Sequence, residues 1–412
     1  MKLVGYELRK TLSGRFWWLA LLFLLAANLL LYSEPWNGVS FFSWKTLSED
    51  FAPLKEFVAS ASAEEYHAYI AEMEERYGEY DYFSSWDSIT DDSPGRFAST
   101  MTQEVQLLAY HLNQCASFER VVGERARIET AARWAGGTAY LKNDAFGVRK
   151  SMDMIRRYAV KPAIIPALAT AENSGPPFSA MPKWGWINFI DYIWGDVFAV
   201  LMAALLATRL FPMERKARPI LLATPKGRRQ TTAAKLAAAA ILGLGMSVLF
   251  SAVTLLFIGF KDGLYGADGS ILTVGAMTFT PLVATIAQTV LLFALYRVAG
   301  VVLVSLACAV IAYFLRGNLL SYIGGIVFVG GSFGYSVLIG RNPFLPTALR
   351  VLPDITSLSR PQWFFETYRA ANLFGYPVLW STVCLLFWTA LCAALAGFAV
   401  WHSGYSGRRR RV

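Results

Sequence analysis

The sequence predicts an all-α membrane protein: a bundle of six spans, with an α-rich extracytoplasmic domain inserted after the first. Three observations carry that prediction. Uncharged apolar runs long enough to cross a bilayer recur along the chain, and 55% of its 412 residues are hydrophobic against 16% charged, where soluble proteins carry about 25%. The charge is gathered into one block, since residues 34–185 hold 21 of the 29 acidic residues but only 15 of the 38 basic ones. Outside that block the basic residues sit at the ends of apolar runs, where the positive-inside rule and anionic head groups place them. The overall charge of +9 therefore points to membrane lipids as partners and not to nucleic acid.

Residues 1–33 are read as an interfacial helix and the first span. Val4, Leu8 and Leu12 fall on one helical face and Lys2, Arg9 and Lys10 elsewhere, the pattern of a short helix lying on the inner membrane surface. The run 16–33 has no charge and is long enough to span. A cleaved signal peptide is the competing reading. Its core is long for one, and no small-x-small site follows Ser33. Basic residues before this span and Glu34 after it place the amino terminus in the cytoplasm.

Residues 34–185 form the extracytoplasmic domain, large enough for a core of its own. Ser62 and Glu65 have capping-box spacing and open a helix with Tyr66, Ile70, Met73 and Tyr77 on one stripe. A second helical stretch, 100–134, turns Val105, Leu108, Leu112, Cys115 and Phe118 inward, and a third covers 144–158. Cys115 is the only cysteine in the block, so no internal disulfide holds it.

Residues 186–412 form the transmembrane domain. Apolar runs occur at 186–211, 233–260, 273–296, 298–315, 318–340 and 373–401, seven with the first. Seven crossings would put the Arg408-Arg409-Arg410-Arg411 tail outside, against the positive-inside rule. An even number keeps both termini in the cytoplasm. The run to demote is 273–296, which holds Pro281, Gln288 and five threonines; it is read as a re-entrant or outer-surface segment. That choice turns Arg316 inward and leaves Arg341, Arg350, Arg360 and Arg369 on the outer side.

The loop after the second span is the most informative stretch. Glu214 stands at its start. Ile220, Leu221 and Leu222 make an apolar patch, and Pro225-Lys226-Gly227-Arg228 a basic turn. Such a loop can dock into a groove on a cytoplasmic partner, or it is an ordinary positive-inside loop; spacing leaves both open. Together with Leu221-Leu222-x-Thr224-x-x-Gly227-Arg228, a Lys opening the third span (Lys235), Glu7-Leu8-x-Lys10 before the first, and Asn372-Leu373-Phe374-Gly375-Tyr376-Pro377 before the last, the sequence resembles the permease subunit of ABC-2 type exporters. The resemblance is to the bacterial branch with a large domain after the first span. It covers most of the membrane part and little of 34–140. It implies six spans, a bacterial cell membrane, and a loop at Glu214, Ile220, Leu221, Leu222, Thr224, Gly227, Arg228 and Lys235 that couples to a separate ABC ATPase. It also implies a homodimer or a heterodimer with a second permease. ATP and Mg would act through the ATPase, with no cofactor bound by this chain.

The residues agree that ATP hydrolysis lies elsewhere. The sequence has no G-x-x-x-x-G-K-[ST] phosphate loop, no Ser/His/Asp set and no metal-ligand spacing among His67, His111 and His402. Asp191 and Asp196 depart from the family pattern. They either sit at the outer interface beside Trp184, Trp186 and Trp194, or line a substrate path for a cation or basic substrate. Gly330 and Gly334, spaced as G-x-x-x-G, permit close helix approach in the fifth span. A membrane-anchored receptor or assembly protein, whose outer domain binds a ligand or partner, is the alternative to an exporter.

Overall fold

The computed structural model describes residues 2–33, 68, 184–212, 225–261, 263–269, 271, 277, 282, 284–315, 317–340, 354–365, 370–373 and 376–405. The domain expected over 34–185 lies outside the described residues apart from one position and its last two residues, as do Glu214, Ile220, Leu221, Leu222 and Thr224.

The described elements are α1 (Lys2–Leu12), α2 (Arg15–Ser33), α3 (Trp184–Asp191), α4 (Trp194–Arg209), α5 (Pro225–Lys261), α6 (Ile286–Leu315) and α7 (Asn318–Gly334). They continue with α8 (Ile355–Leu358), α9 (Gln362–Phe365), β1 (Ala370–Leu373), β2 (Tyr376–Leu379) and α10 (Trp380–Tyr405). Four of these, α2, α5, α6 and α10, are long and apolar enough to cross a membrane, and a fifth crossing follows if the bent pair α3–α4 is one span. Helix α7 is a shorter apolar helix, prolonged by a π-helical turn at Tyr335–Gly340. The chain is a multi-pass, helical membrane protein.

Contacts at the two ends of the bundle show that successive helices alternate in direction. At the end carrying α1, Trp17 stacks on Tyr322, Phe211 meets the edge of Tyr313, and Tyr313 Oη lies 2.9 Å from His402 Nδ1. At the opposite end, Asn28 Nδ2 donates to Thr254 Oγ1 at 2.9 Å and Tyr296 Oη to Ser381 Oγ at 3.2 Å.

Helix α1 ends at Ser13-Gly14 because its last carbonyls find other donors. Ser13 Oγ donates to Lys10 O and Trp18 Nε1 to Leu12 O, each at 2.8 Å. Val4, Leu8 and Leu12 pack against the bundle core. The apolar stripe read from the sequence as membrane-facing is thus turned at least partly toward protein.

Between the spans, small residues set the packing. Ala199, Ala203, Ala204 and Ala207 of α4, Ala238 and Ala239 of α5, and Ala307 and Ala309 of α6 are buried. Lipid is as apolar as leucine, so helices associate through close approach and interhelical hydrogen bonds more than through the hydrophobic effect. Ser305 Oγ donating to Ala239 O at 2.7 Å is one such bond. The large apolar residues Phe16, Leu19, Phe23, Leu256, Phe260 and Leu319 are exposed, as lipid-facing positions should be.

Two sequence expectations change here. The runs 273–296 and 298–315 do not part at Arg297: a single 30-residue helix, α6, runs through it. At 1.5 Å per residue α6 is about 45 Å long. An isolated arginine would be costly inside such a helix, but Arg297 has a carboxylate and a carbonyl as partners, described below. The last span begins at Trp380 and not at 373, because 370–373 pairs antiparallel with 376–379, Asn372 opposite Pro377. Arg360 is buried, within a polar segment, Asp354–Phe365, that packs against α6, α7 and α10.

Candidate functional site

A broken span leaves backbone groups without their usual helical partners, and the break between α3 and α4 shows what replaces them. The two helices meet at 43° across Tyr192 and Ile193. Tyr192 N still donates to Asn188 O at 2.9 Å, but Ile193 caps α4 with no side-chain hydrogen bond. The carbonyl of Phe189 instead accepts from Arg297 Nη2 of α6 at 3.2 Å. The same guanidinium lies over the Phe189 ring, 4.7 Å from its centroid, and its Nε is 3.3 Å from Asp196 Oδ1. Asp196 is in the first turn of α4.

One arginine therefore binds both halves of the broken helix. Electrostatics favour the arrangement at each contact: the cation meets the carbonyl end of α3, and the carboxylate sits at the amino end of α4, each the sign its helix dipole prefers. Asp196 is 7% exposed and Arg297 3%, so the pair is screened little by solvent. Arg360, also buried, lies against the rings of Phe333 and Trp363, at 5.2 and 4.3 Å from their centroids. Asn28 and Thr254 are hydrogen-bonded across α2 and α5, and Tyr192 Oη donates to Asn28 O.

The other end of the bundle uses its buried cations differently. Lys235 is 2% exposed; its Nζ donates to Leu210 O, just past the end of α4, at 2.8 Å and lies over the Phe211 ring. Arg209 Nη1 donates to Thr11 O at 3.1 Å and stacks on Trp17. Both cations satisfy carbonyls at the carboxyl ends of helices, which lack intrahelical donors.

The residues singled out from sequence separate into three groups. Asp191 is exposed and Asp196 buried, so the structure does not bring the two carboxylates to one position. Of the loop set, Gly227 and Arg228 are half-buried in the first turns of α5, with Thr231 Oγ1 donating to Gly227 O, and Lys235 is wholly internal. Around Gly330 and Gly334 a methyl group would meet nothing within 4 Å, and Gly330 lines an apolar groove between α4 and α7 with Leu201, Tyr322 and Phe333. Close approach happens at other glycines. At Gly300 of α6 a methyl would overlap the backbone nitrogen of Ser359.

Neither Arg297 nor Arg360 stands out as a site residue from the sequence. The signal for Arg297 is in the sequence: it is the one basic residue inside the long apolar stretch 285–315, where a lone charge reads as a boundary between spans. No group of three or more His, Cys, Asp or Glu among the described residues could hold a metal ion. Set beside known proteins, the chain matches no family model, no curated protein and no solved structure.

Proposed function

We propose that the chain is the permease subunit of an ABC exporter, moving substrate across a bacterial cell membrane with ATP hydrolysed by a separate subunit. Both termini and the 213–224 loop face the cytoplasm, six passes cross the bilayer, and two permeases pair with two ATPases. The observation that supports this best is how the loop is mounted. Its flanks, α4 and α5, are fastened to each other by Lys235 Nζ on Leu210 O, and α4 is fastened to α1 by Arg209 on Thr11 O. A force applied at the loop would pass into the bundle and not dissipate in a hinge. The alternating helix directions support six passes, with α3–α4 and α7 each counted once. A receptor or assembly protein needs its spans only as anchors, and a buried ion pair at a helix break is more than an anchor needs.

The test uses the chain purified with the ATPase encoded beside it. Leu221→Ala/Leu222→Ala removes apolar surface from the loop, and fully burying one leucine is worth about 1.5–3 kcal/mol. Association should weaken about tenfold or more, with transport-linked ATP hydrolysis falling in step. Unchanged association and hydrolysis in a correctly inserted double variant would reduce the loop to a solvated turn and remove the coupling argument.

A further inference from the structure

Helices α4 and α7 touch at one end and part toward the other. A methyl on Gly325 would overlap Thr208 Cγ2, whereas one on Gly330 meets nothing within 4 Å. The wedge between them is an apolar groove, running from Thr208 and Tyr322 at the α1 end to Val197 and Phe333. From Val197 to Thr208, and from Tyr322 to Phe333, is 11 residues, about 17 Å at 1.5 Å per residue. Half of a bilayer core of about 30 Å is close to that length, so the groove matches the acyl layer of one leaflet. Thr208 Oγ1 donates to Leu205 O of its own helix, and the walls offer no other polar side chain short of Tyr322.

A cation stands at the Tyr322 end. Trp17 stacks on Tyr322, 6.4 Å between centroids, and the Arg209 guanidinium carbon lies 5.1 Å from the Trp17 centroid. Arg209 is half-buried, against Gly14 at the elbow between α1 and α2. A guanidinium has five N–H donors, and among the described residues Arg209 gives one to Thr11 O. No carboxylate among those residues pairs with it, unlike Arg297 with Asp196. Such a planar fork of donors holds a phosphate through two bonds at once. We propose that elbow and groove form a site for one anionic phospholipid, its phosphate on Arg209 and one acyl chain laid between α4 and α7. A second copy of the chain could also cover an apolar groove. Helices α2, α5, α6, α7 and α10 hold no acidic residue, so its spans would bring Arg209 no counter-charge, and a phosphate does. Arg9 and Arg15 are exposed and draw anionic lipid to this end without fixing one molecule. The site needs no ATPase partner and goes beyond the permease reading.

The experiment uses the full chain, delipidated in a nonionic detergent and titrated with dioleoyl phosphatidylglycerol or dioleoyl phosphatidylcholine. Native mass spectrometry counts the lipids bound. The first phosphatidylglycerol should bind at least about tenfold more tightly than phosphatidylcholine, the scale of a hydrogen bond between charged groups. Arg209→Gln should abolish that preference, and Arg15→Gln should leave it. Equal binding of the two lipids by the parent chain overturns the site. So does an equal loss in both variants, which would mean diffuse surface charge. Glycerol phosphate, the headgroup without its chains, should not displace the lipid; displacement would make this a free-phosphate site and overturn the role of the groove. If Arg209→Gln lowers the thermal midpoint of the lipid-free chain, Gly330→Leu decides, because its side chain enters the groove from a position with open space around it. Weaker phosphatidylglycerol binding at an unchanged midpoint supports the site, and unchanged binding overturns it. A parent dimer that takes up no lipid, and that Gly330→Leu splits, would give the groove to a second copy.

Discussion

The two ends of the bundle bury the same kind of side chain for different ends. Near α1, Lys235 and Arg209 lie against the carbonyls of Leu210 and Thr11 and against the rings of Phe211 and Trp17. At the helix break, Arg297 faces a full negative charge on Asp196 as well as a carbonyl. A carbonyl that loses its cation is a neutral orphan; a carboxylate that loses its cation is an uncompensated charge. The first contact finishes a helix, and the second holds two helices to a third.

That contrast is broken or sharpened by substitution. Arg297→Gln strands Asp196, and removing one partner of a buried pair costs about 3–5 kcal/mol. The thermal midpoint of the purified chain should fall by more than in any variant below. Asp196→Asn/Arg297→Gln should recover most of the loss, since two neutral polar groups replace the pair. A double variant as unstable as the single one would mean that packing, and not charge, makes the contact. Lys235→Met keeps the apolar stem but orphans Leu210 O, and the loss should be smaller, about 1.5–3 kcal/mol, the range for hydrogen bonds to charged groups. If it equals or exceeds the Arg297 effect, the two ends do not differ as argued. Gly300→Ala presses a methyl on the backbone at Ser359 and should cost about 1–3 kcal/mol as overpacking. Gly330→Ala, with nothing within 4 Å of the new methyl, should stay within about 0.5 kcal/mol in the isolated chain.

Much of the membrane part was legible. The first run, 16–33, is α2 almost to the residue, and 318–340 is α7 with its π-helical turn. These are segments whose hydropathy alone decides their fate, and hydropathy is local. The charged site was half legible. Asp196 stood out because a carboxylate in an apolar run is rare, but its meaning depends on Arg297, a hundred residues on, and windowed hydropathy contains no pairing. The same limitation makes Arg297 read as a boundary and hides the break at Tyr192-Ile193, which no proline marks. The buried segment Asp354–Phe365 was invisible for a different reason. Half of its dozen residues are Ser, Thr, Gln, Asp or Arg, a composition in which hydropathy shows no buried element, and Ser332, Ser336 and Gly300 on neighbouring helices help make its burial tolerable. The glycine pair of α7 shows the converse: spacing that permits close packing does not say which neighbour, if any, takes the place.

Helix length has one more consequence. The spanning stretch of α2 is 18 residues and that of α5 is 35, about 27 and 52 Å at 1.5 Å per residue. A bilayer core of about 30 Å fits the first and not the second. The basic residues Arg228, Arg229 and Lys235 take up the excess at one end of α5, where they can lie among head groups or protein, yet from Leu236 onward the helix is still longer than α2. The molecule therefore meets the membrane with unequal hydrophobic heights around its circumference. Lipids beside α2 must thin, or α5 must tilt, so its activity should respond to acyl-chain length in reconstituted vesicles.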